Sequence, residues 1–173
     1  MMRWRRIKSL LGIKSPSCES LPKESINLLK VSGLEHVMLV MLDKGAYMPA
    51  RAHEDDAGLD LMSPVDAVIP ARGYVKIDLG VHCEIPKGHF GKLESRSGMM
   101  SRGVTTMGGV IDCNYRGSIS VLLENHNDYD IAVHKGDKVT QMIVQPMLSV
   151  YPETSIYLED TDRGSDGFGS TGR

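Results

Sequence analysis

From His36 onward the chain alternates. Val75, Ile77 and Leu79 are separated by Lys76 and Asp78, and Ile119, Val121 and Leu123 by Ser120 and, less cleanly, Leu122. A period of two gathers one set of side chains on a single face of a strand, which a helix cannot do. Ile131 and Val133 flank Ala132, and residues 138–147 form a β-prone run around Val139, Ile143 and Val144. Turn-forming groups fall between these runs: Pro86-Lys-Gly88, His126-Asn-Asp128 and Lys135-Gly-Asp137. The one helical candidate in this region covers residues 98–102. Many short strands with frequent turns predict an all-β barrel or sandwich.

Size and charge bound the rest. A chain of 173 residues fits one domain with an appended arm. An apolar share of 41% supports a core, and an aromatic share of 5% means that Val, Ile, Leu and Met must build it. The net charge of −2 disfavours stable nucleic-acid binding, which rests on a basic surface. No apolar run approaches the roughly 20 residues of a membrane-spanning helix. Cys18, Cys83 and Cys113 are odd in number and lack a CxxC pair, which suits a cytoplasmic or other reducing compartment.

The first 35 residues are of another kind. Arg3, Arg5, Arg6, Lys8 and Lys14 all precede the first acid, Glu19, while Trp4, Ile7, Leu10 and Leu11 fall three or four apart or adjacent. That pattern fits a short basic amphipathic helix. An organellar targeting segment, a surface-binding arm and an extension without a role are three readings of it. The expected organisation is a flexible extension over 1–35, a β domain over 36–160 and a glycine-rich lid over 161–173.

Four polar islands interrupt the strands. Asp60 lies between Leu59 and Leu61, where a buried carboxylate needs a partner or a cation. An exposed strand position opposite two inward leucines accounts for it equally well. Arg96, Ser97 and Gly98 stand at the expected helix start, where free N–H groups favour an anion, and Ser97 serves equally as an N-cap. Asp112 follows the apolar pair Val110 and Ile111, with Tyr115 three residues on and Gly117 beyond Arg116. A carboxylate in partly apolar surroundings can take a proton from water, and a tyrosine ring can wall a sugar. An Asx-type turn explains Asp112 and Gly117 alone. Gln141 is a neutral donor among apolar neighbours at the start of the last strand.

The chain ends in Arg163-Gly-Ser-Asp-Gly-Phe-Gly-Ser-Thr-Gly-Arg173, with four glycines around one of only two phenylalanines. Such a segment cannot form a core. A ring, a cation and hydroxyls on a mobile end can instead close over a base carrying phosphates, ordering only on binding.

In this order, the five segments resemble the motifs of the trimeric all-β dUTPases, deoxyuridine triphosphate nucleotidohydrolases, over residues 36–173. The resemblance implies a distorted jelly-roll β-barrel and a homotrimer whose C-terminal arm is exchanged between subunits. It also implies hydrolysis of dUTP to dUMP and pyrophosphate, which keeps uracil out of DNA and supplies dUMP for thymidylate synthesis.

Residue by residue, the resemblance makes Asp112 the base that activates water and Tyr115 the floor beneath the deoxyribose. The backbone of Gly109, Val110 and Ile111 would pair with uracil. Arg96, Ser97, Gly98 and Gln141 would contact the triphosphate. Asp60 would hold water ligands of a Mg2+ ion carried by the phosphates. Phe168 would stack on uracil, with Arg163, Gly169, Ser170 and Thr171 closing on the γ-phosphate. A dCTP deaminase on the same fold, or a regulatory protein using this scaffold to bind a protein partner, are the alternatives. Three residues depart from the common pattern: Glu94-Ser95 in place of Ala-Pro, Asn114 in place of Asp, and Asp166 in place of Gly.

Overall fold

The computed structural model describes residues 38–165, so the expected N-terminal helix, Cys18, and Phe168, Gly169, Ser170 and Thr171 lie outside the described residues. Among the described residues ten strands and one helical turn follow in chain order. They are β1 (Leu39–Leu42), β2 (Leu59–Met62), β3 (Ala67–Ile69), β4 (Tyr74–Glu84), β5 (His89–Glu94), α1 (Ser97–Met100), β6 (Val104–Met107), β7 (Val110–Ile111), β8 (Ile119–Asn125), β9 (Ile131–Val133) and β10 (Lys138–Pro146). Two four-stranded sheets have the orders β1-β4-β8-β6 and β2-β10-β5-β7, and β3 pairs with β9. Every ladder is antiparallel. The all-β expectation holds, and among the described residues the strands form three sheets instead of one closed ring.

The period-two segments form the core as expected. Ile77, Leu79, Val81 and Cys83 of β4 are buried, as are Ile119, Val121 and Leu123 of β8. Leu61, Leu93, Ile111 and Met142 join the same cluster from the other large sheet. Full burial of one such aliphatic side chain contributes about 1.5–3 kcal/mol relative to exposure. At Gly80, with φ of 63°, β4 slips its register on β8. There the Asp78 carboxylate accepts the Gly80 N–H at 3.0 Å and the Ser118 hydroxyl, tying the start of β8 to β4.

Two local features position the site. The Arg96 carbonyl accepts the N–H groups of Met99 at 3.0 Å and Met100 at 2.9 Å, so Ser97 is the first residue inside the helical turn. Arg96 is therefore the N-cap, with extended backbone, and the N-cap reading of Ser97 does not hold. Gly108 and Gly109, with φ of 61° and 101°, carry the chain from β6 in one sheet to β7 in the other. A Cβ on Gly109 would fall 2.6 Å from that of Leu93, so the crossing requires glycine.

Among the described residues the last strand ends at Pro146. Beyond it Leu148, Tyr151, Ile156 and Leu158 are each more than four-fifths exposed. Among the described residues no helix is long and apolar enough to cross a membrane.

Candidate active site

The sheet β2-β10-β5-β7 carries a hollow at each edge. At the first, strand register sets Gln141 of β10 between Asp60 of β2 and Glu94 of β5. Gly58, Asp60, Arg96, Ser97 and Gln141 are among the residues lining a space of about 230 Å³. Asp60 is buried, contrary to the exposed-strand alternative. Its Oδ1 accepts Arg96 Nε at 2.6 Å and its Oδ2 lies 2.8 Å from Lys138 Nζ. Two cations from distant segments are what make burial of this carboxylate tolerable.

Arg96 also donates through Nη1 to the Lys138 carbonyl at 3.2 Å. Among the described residues two of its five N–H groups are thus engaged and three remain. Gln141 Nε2 donates to the Ser95 carbonyl at 3.1 Å. Its amide lies so close to Gly58 that a Cβ there would come within 3.0 Å of Cδ. Ser97 and Gly98 are exposed, and the space a Cβ on Gly98 would enter is open.

Of the departures from the common motif, Asp166 lies outside the described residues, and Glu94 and Ser95 are accommodated here. Glu94 pairs with Lys92 at 2.5 Å, so its charge is compensated on its own strand. Ser95 Oγ accepts the Thr106 N–H at 2.8 Å, a bond that proline could not make. Asn114 is exposed.

The second hollow, of about 320 Å³, is lined by Lys76, Val110, Asp112, Tyr115, Ser118 and Ser120, among others. Leu93 donates its N–H to the Gly109 carbonyl at 2.8 Å. With Lys92 opposite Val110 and Gly91 opposite Ile111, the antiparallel alternation directs the Val110 N–H and C=O away from β5, toward the open sheet edge. Of the three residues expected to read a base, Gly109 has its carbonyl taken, and Val110 presents a donor and an acceptor that are unpaired among the described residues.

Asp112 is exposed, and it lines the hollow together with Val110, Ile111 and Ile119. The turn after it is closed by its main-chain carbonyl, which accepts the Tyr115 N–H at 3.0 Å. This is a backbone turn, not an Asx turn, and the carboxylate makes no hydrogen bond among the described residues. Tyr115 donates from Oη to the Ser118 carbonyl at 3.1 Å, which lays its ring over Gly117. The Arg116 guanidinium binds the carbonyls of Cys113 and Tyr115 at 2.8 and 3.0 Å.

No residue lines both hollows. The route from β2 to β7 crosses three strand spacings, roughly 14 Å. One chain therefore holds the cationic residues and the carboxylate–tyrosine pair apart. Arg163, exposed in a turn closed by Gly164 N–H to the Thr161 carbonyl at 2.9 Å, lines neither. Sequence reasoning missed Lys138 and Lys76. Lys76 is legible only as an outward residue of β4, and nothing local to Lys138 reveals its bond to Asp60.

The dUTPase family model matches residues 44–172. The deoxyuridine 5'-triphosphate nucleotidohydrolase of Paramecium bursaria Chlorella virus 1 is 35% identical over 140 residues, covering 80% of this chain and 99% of that protein. The Yarrowia lipolytica enzyme of the same name is 40% identical over 139 residues, 78% of this chain and 87% of its own. A Staphylococcus bacteriophage 80alpha dUTPase solved with dUpNHpp superposes with a TM-score of 0.74 at 26% identity, over 79% of this chain and 99% of that one. The dUTPase of phage phi11 of S. aureus, described with a structural Mg(II) ion, gives 0.66 at 25% identity, over 70% and 97%. Fold, motif order and these likenesses agree: the chain belongs to the dUTPase family.

Proposed function

We propose that this protein hydrolyses dUTP to dUMP and pyrophosphate, keeping uracil out of DNA and supplying dUMP for thymidylate synthesis. The observation that carries the reading is the second hollow. In a dUTPase-family chain, an unengaged carboxylate, a tyrosine ring and a free main-chain donor–acceptor pair face one space.

In the proposed reaction Asp112 takes a proton from a water molecule. That water attacks the α-phosphorus in line, and the bond to the oxygen bridging the α- and β-phosphates breaks, releasing pyrophosphate. Tyr115 supports the deoxyribose and leaves no room for a 2′-hydroxyl. The Val110 N–H and C=O complement a carbonyl and the N3–H of uracil. Cytosine offers the opposite pattern and would leave polar groups unpaired, which polar sites reject strongly. The three unengaged Arg96 donors, with Ser97, Gly98 and Gln141, hold the phosphates.

Because the two hollows lie apart on one chain, the complete site draws on neighbouring copies, and a cyclic homotrimer satisfies this. The exposed apolar side chains between Leu148 and Leu158 are the segment we assign to packing on a neighbour. Residues 161–173 then act as the lid, with Phe168 on the base and Arg163, Gly169, Ser170 and Thr171 at the γ-phosphate. Residues 1–35 are an arm separate from catalysis. Free thiols at Cys83 and Cys113 suit a cytoplasmic or other reducing compartment.

Among the described residues no three His, Cys, Asp or Glu side chains cluster to cage a metal. A Mg2+ ion brought in on the substrate phosphates fits better, since this cation keeps waters and phosphate oxygens as ligands. Asp60 retains acceptor capacity beyond its two cationic partners, because a carboxylate offers about four lone-pair sites, and would hold it through water. When bound, the ion neutralises charge developing on the leaving pyrophosphate.

The test offers purified protein, with magnesium, dUTP, dCTP, dTTP and UTP separately. Pyrophosphate from dUTP alone is expected. Ammonia from dCTP, or no pyrophosphate from dUTP, overturns the reading.

A further inference from the structure

The loop that carries Asp112 and Tyr115 is hydrogen-bonded to β4 at two points. One is the Asp78 carboxylate on Ser118. The other is His82, whose Nδ1 lies 2.9 Å from the Arg116 carbonyl and whose Nε2 lies 3.3 Å from both carboxylate oxygens of Asp43. Asp43 follows β1, which pairs with this end of β4. The imidazole thus joins the turn after β1, strand β4 and the loop.

Its protonation state follows from its partners. A carbonyl oxygen only accepts, so Nδ1 must carry a proton. An ionised carboxylate also only accepts, so Nε2 must carry one as well. The neutral ring, with a single N–H, would set a lone pair against one of the two oxygens. Only the imidazolium satisfies both contacts.

We propose that His82 is a positioning residue for dUTP hydrolysis: the imidazolium clamps the Arg116 carbonyl and thereby fixes the loop that presents Asp112 and Tyr115. This rests on the dUTPase reading of the second hollow and deepens it. Neither ring nitrogen touches that hollow, so the effect passes through the loop. The charged groups around the ring are Asp43 from the turn after β1, Asp78 and Glu84 on β4, and Arg116 on the loop. The Arg116 guanidinium stands 3.9 Å from Glu84. Acceptance by the Arg116 carbonyl, then by Asp43, raises the His82 pKa above its ordinary value against the opposing effect of burial.

A raised value means the clamp is complete below the ordinary histidine pKa of about 6.5 and is lost as pH rises through the higher folded value. The loss shows in kcat. His82 sets a fall on the alkaline side.

The experiment measures kcat and KM against pH for the full-length protein and its His82→Gln and Asp43→Asn variants, with NMR titration of the imidazole. The glutamine amide can reach one acceptor but not both, and it does not titrate. His82→Gln is expected to lower kcat about ten- to a hundredfold, the scale of a catalytic group displaced by up to about 1 Å. KM should stay within about twofold and the His82-dependent alkaline fall should disappear. In wild type the imidazole should titrate above 6.5, and Asp43→Asn should lower that value. An unchanged kcat profile in His82→Gln overturns the proposal. A His82 pKa at or below 6.5, or one that Asp43→Asn leaves alone, also overturns it. The titration needs no substrate, so it judges the clamp even if the protein proves inactive on dUTP, which would instead defeat the hydrolase reading.

Discussion

Substituting Gly117 by alanine should separate catalysis from folding. A Cβ at this position would stand 2.5 Å from Cζ of Tyr115 and 2.9 Å from Cε2, whereas ordinary contact begins at 3.4 Å. The ring must therefore retreat by about 1 Å. Tyr115 is 45% exposed, so it can swing outward without disturbing the core. The folded state loses the bond from Tyr115 Oη to the Ser118 carbonyl, an exposed contact of about 0.5–1.5 kcal/mol. For a domain of this size that lowers Tm by only about 1–6 °C. A displacement of about 1 Å beneath the sugar is a larger matter for the reaction, on the order of a hundredfold in kcat/KM. The floor that excludes a 2′-hydroxyl also moves, so UTP should become a relatively better substrate. Thermal unfolding by circular dichroism and kcat/KM for dUTP and UTP give the two readouts. A variant with kcat/KM for dUTP within twofold of wild type and unchanged rejection of UTP would refute the role given to the ring.

Asp112→Asn should leave dUTP affinity and assembly nearly unchanged while turnover falls by at least about a hundredfold, the scale of a lost general base, measured by pyrophosphate release. Asp60→Asn leaves Arg96 and Lys138 facing a neutral amide. With those partners 28% and 38% exposed, a cost of about 1–3 kcal/mol is expected in urea unfolding, with weaker triphosphate binding in equilibrium titration. Deleting residues 163–173 should preserve the sedimentation behaviour and cut kcat/KM severely.

The parts of the fold legible in the sequence were those with one wet face. β4 and β8 show their register in the alternation of Ile77 with Lys76 and of Val121 with Ser120, because burial falls on every second residue. Asp60 was less legible. Its burial depends on Arg96, 36 positions away, and on Lys138. A local pattern cannot carry pairings of that range. The helix boundary was misjudged at Ser97 for a related reason, since a serine beside the expected start looks like a cap, while the first helical bonds begin from the Arg96 carbonyl. The clustering of Asp112 with Tyr115 was legible because one turn holds both. Their distance from Arg96 was not, because Gly108 and Gly109 move the chain between sheets without leaving a periodic mark.

At two residues, β7 is too short to recruit another polypeptide strand, yet its outer rim still offers one amide hydrogen and one carbonyl. On the proposed reading a nucleobase completes that rim, standing where a further strand would. Discrimination then resides in atoms that every amino acid except proline brings to the position. The Val110 side chain is free to drift over evolutionary time while the pattern presented to the base stays the same.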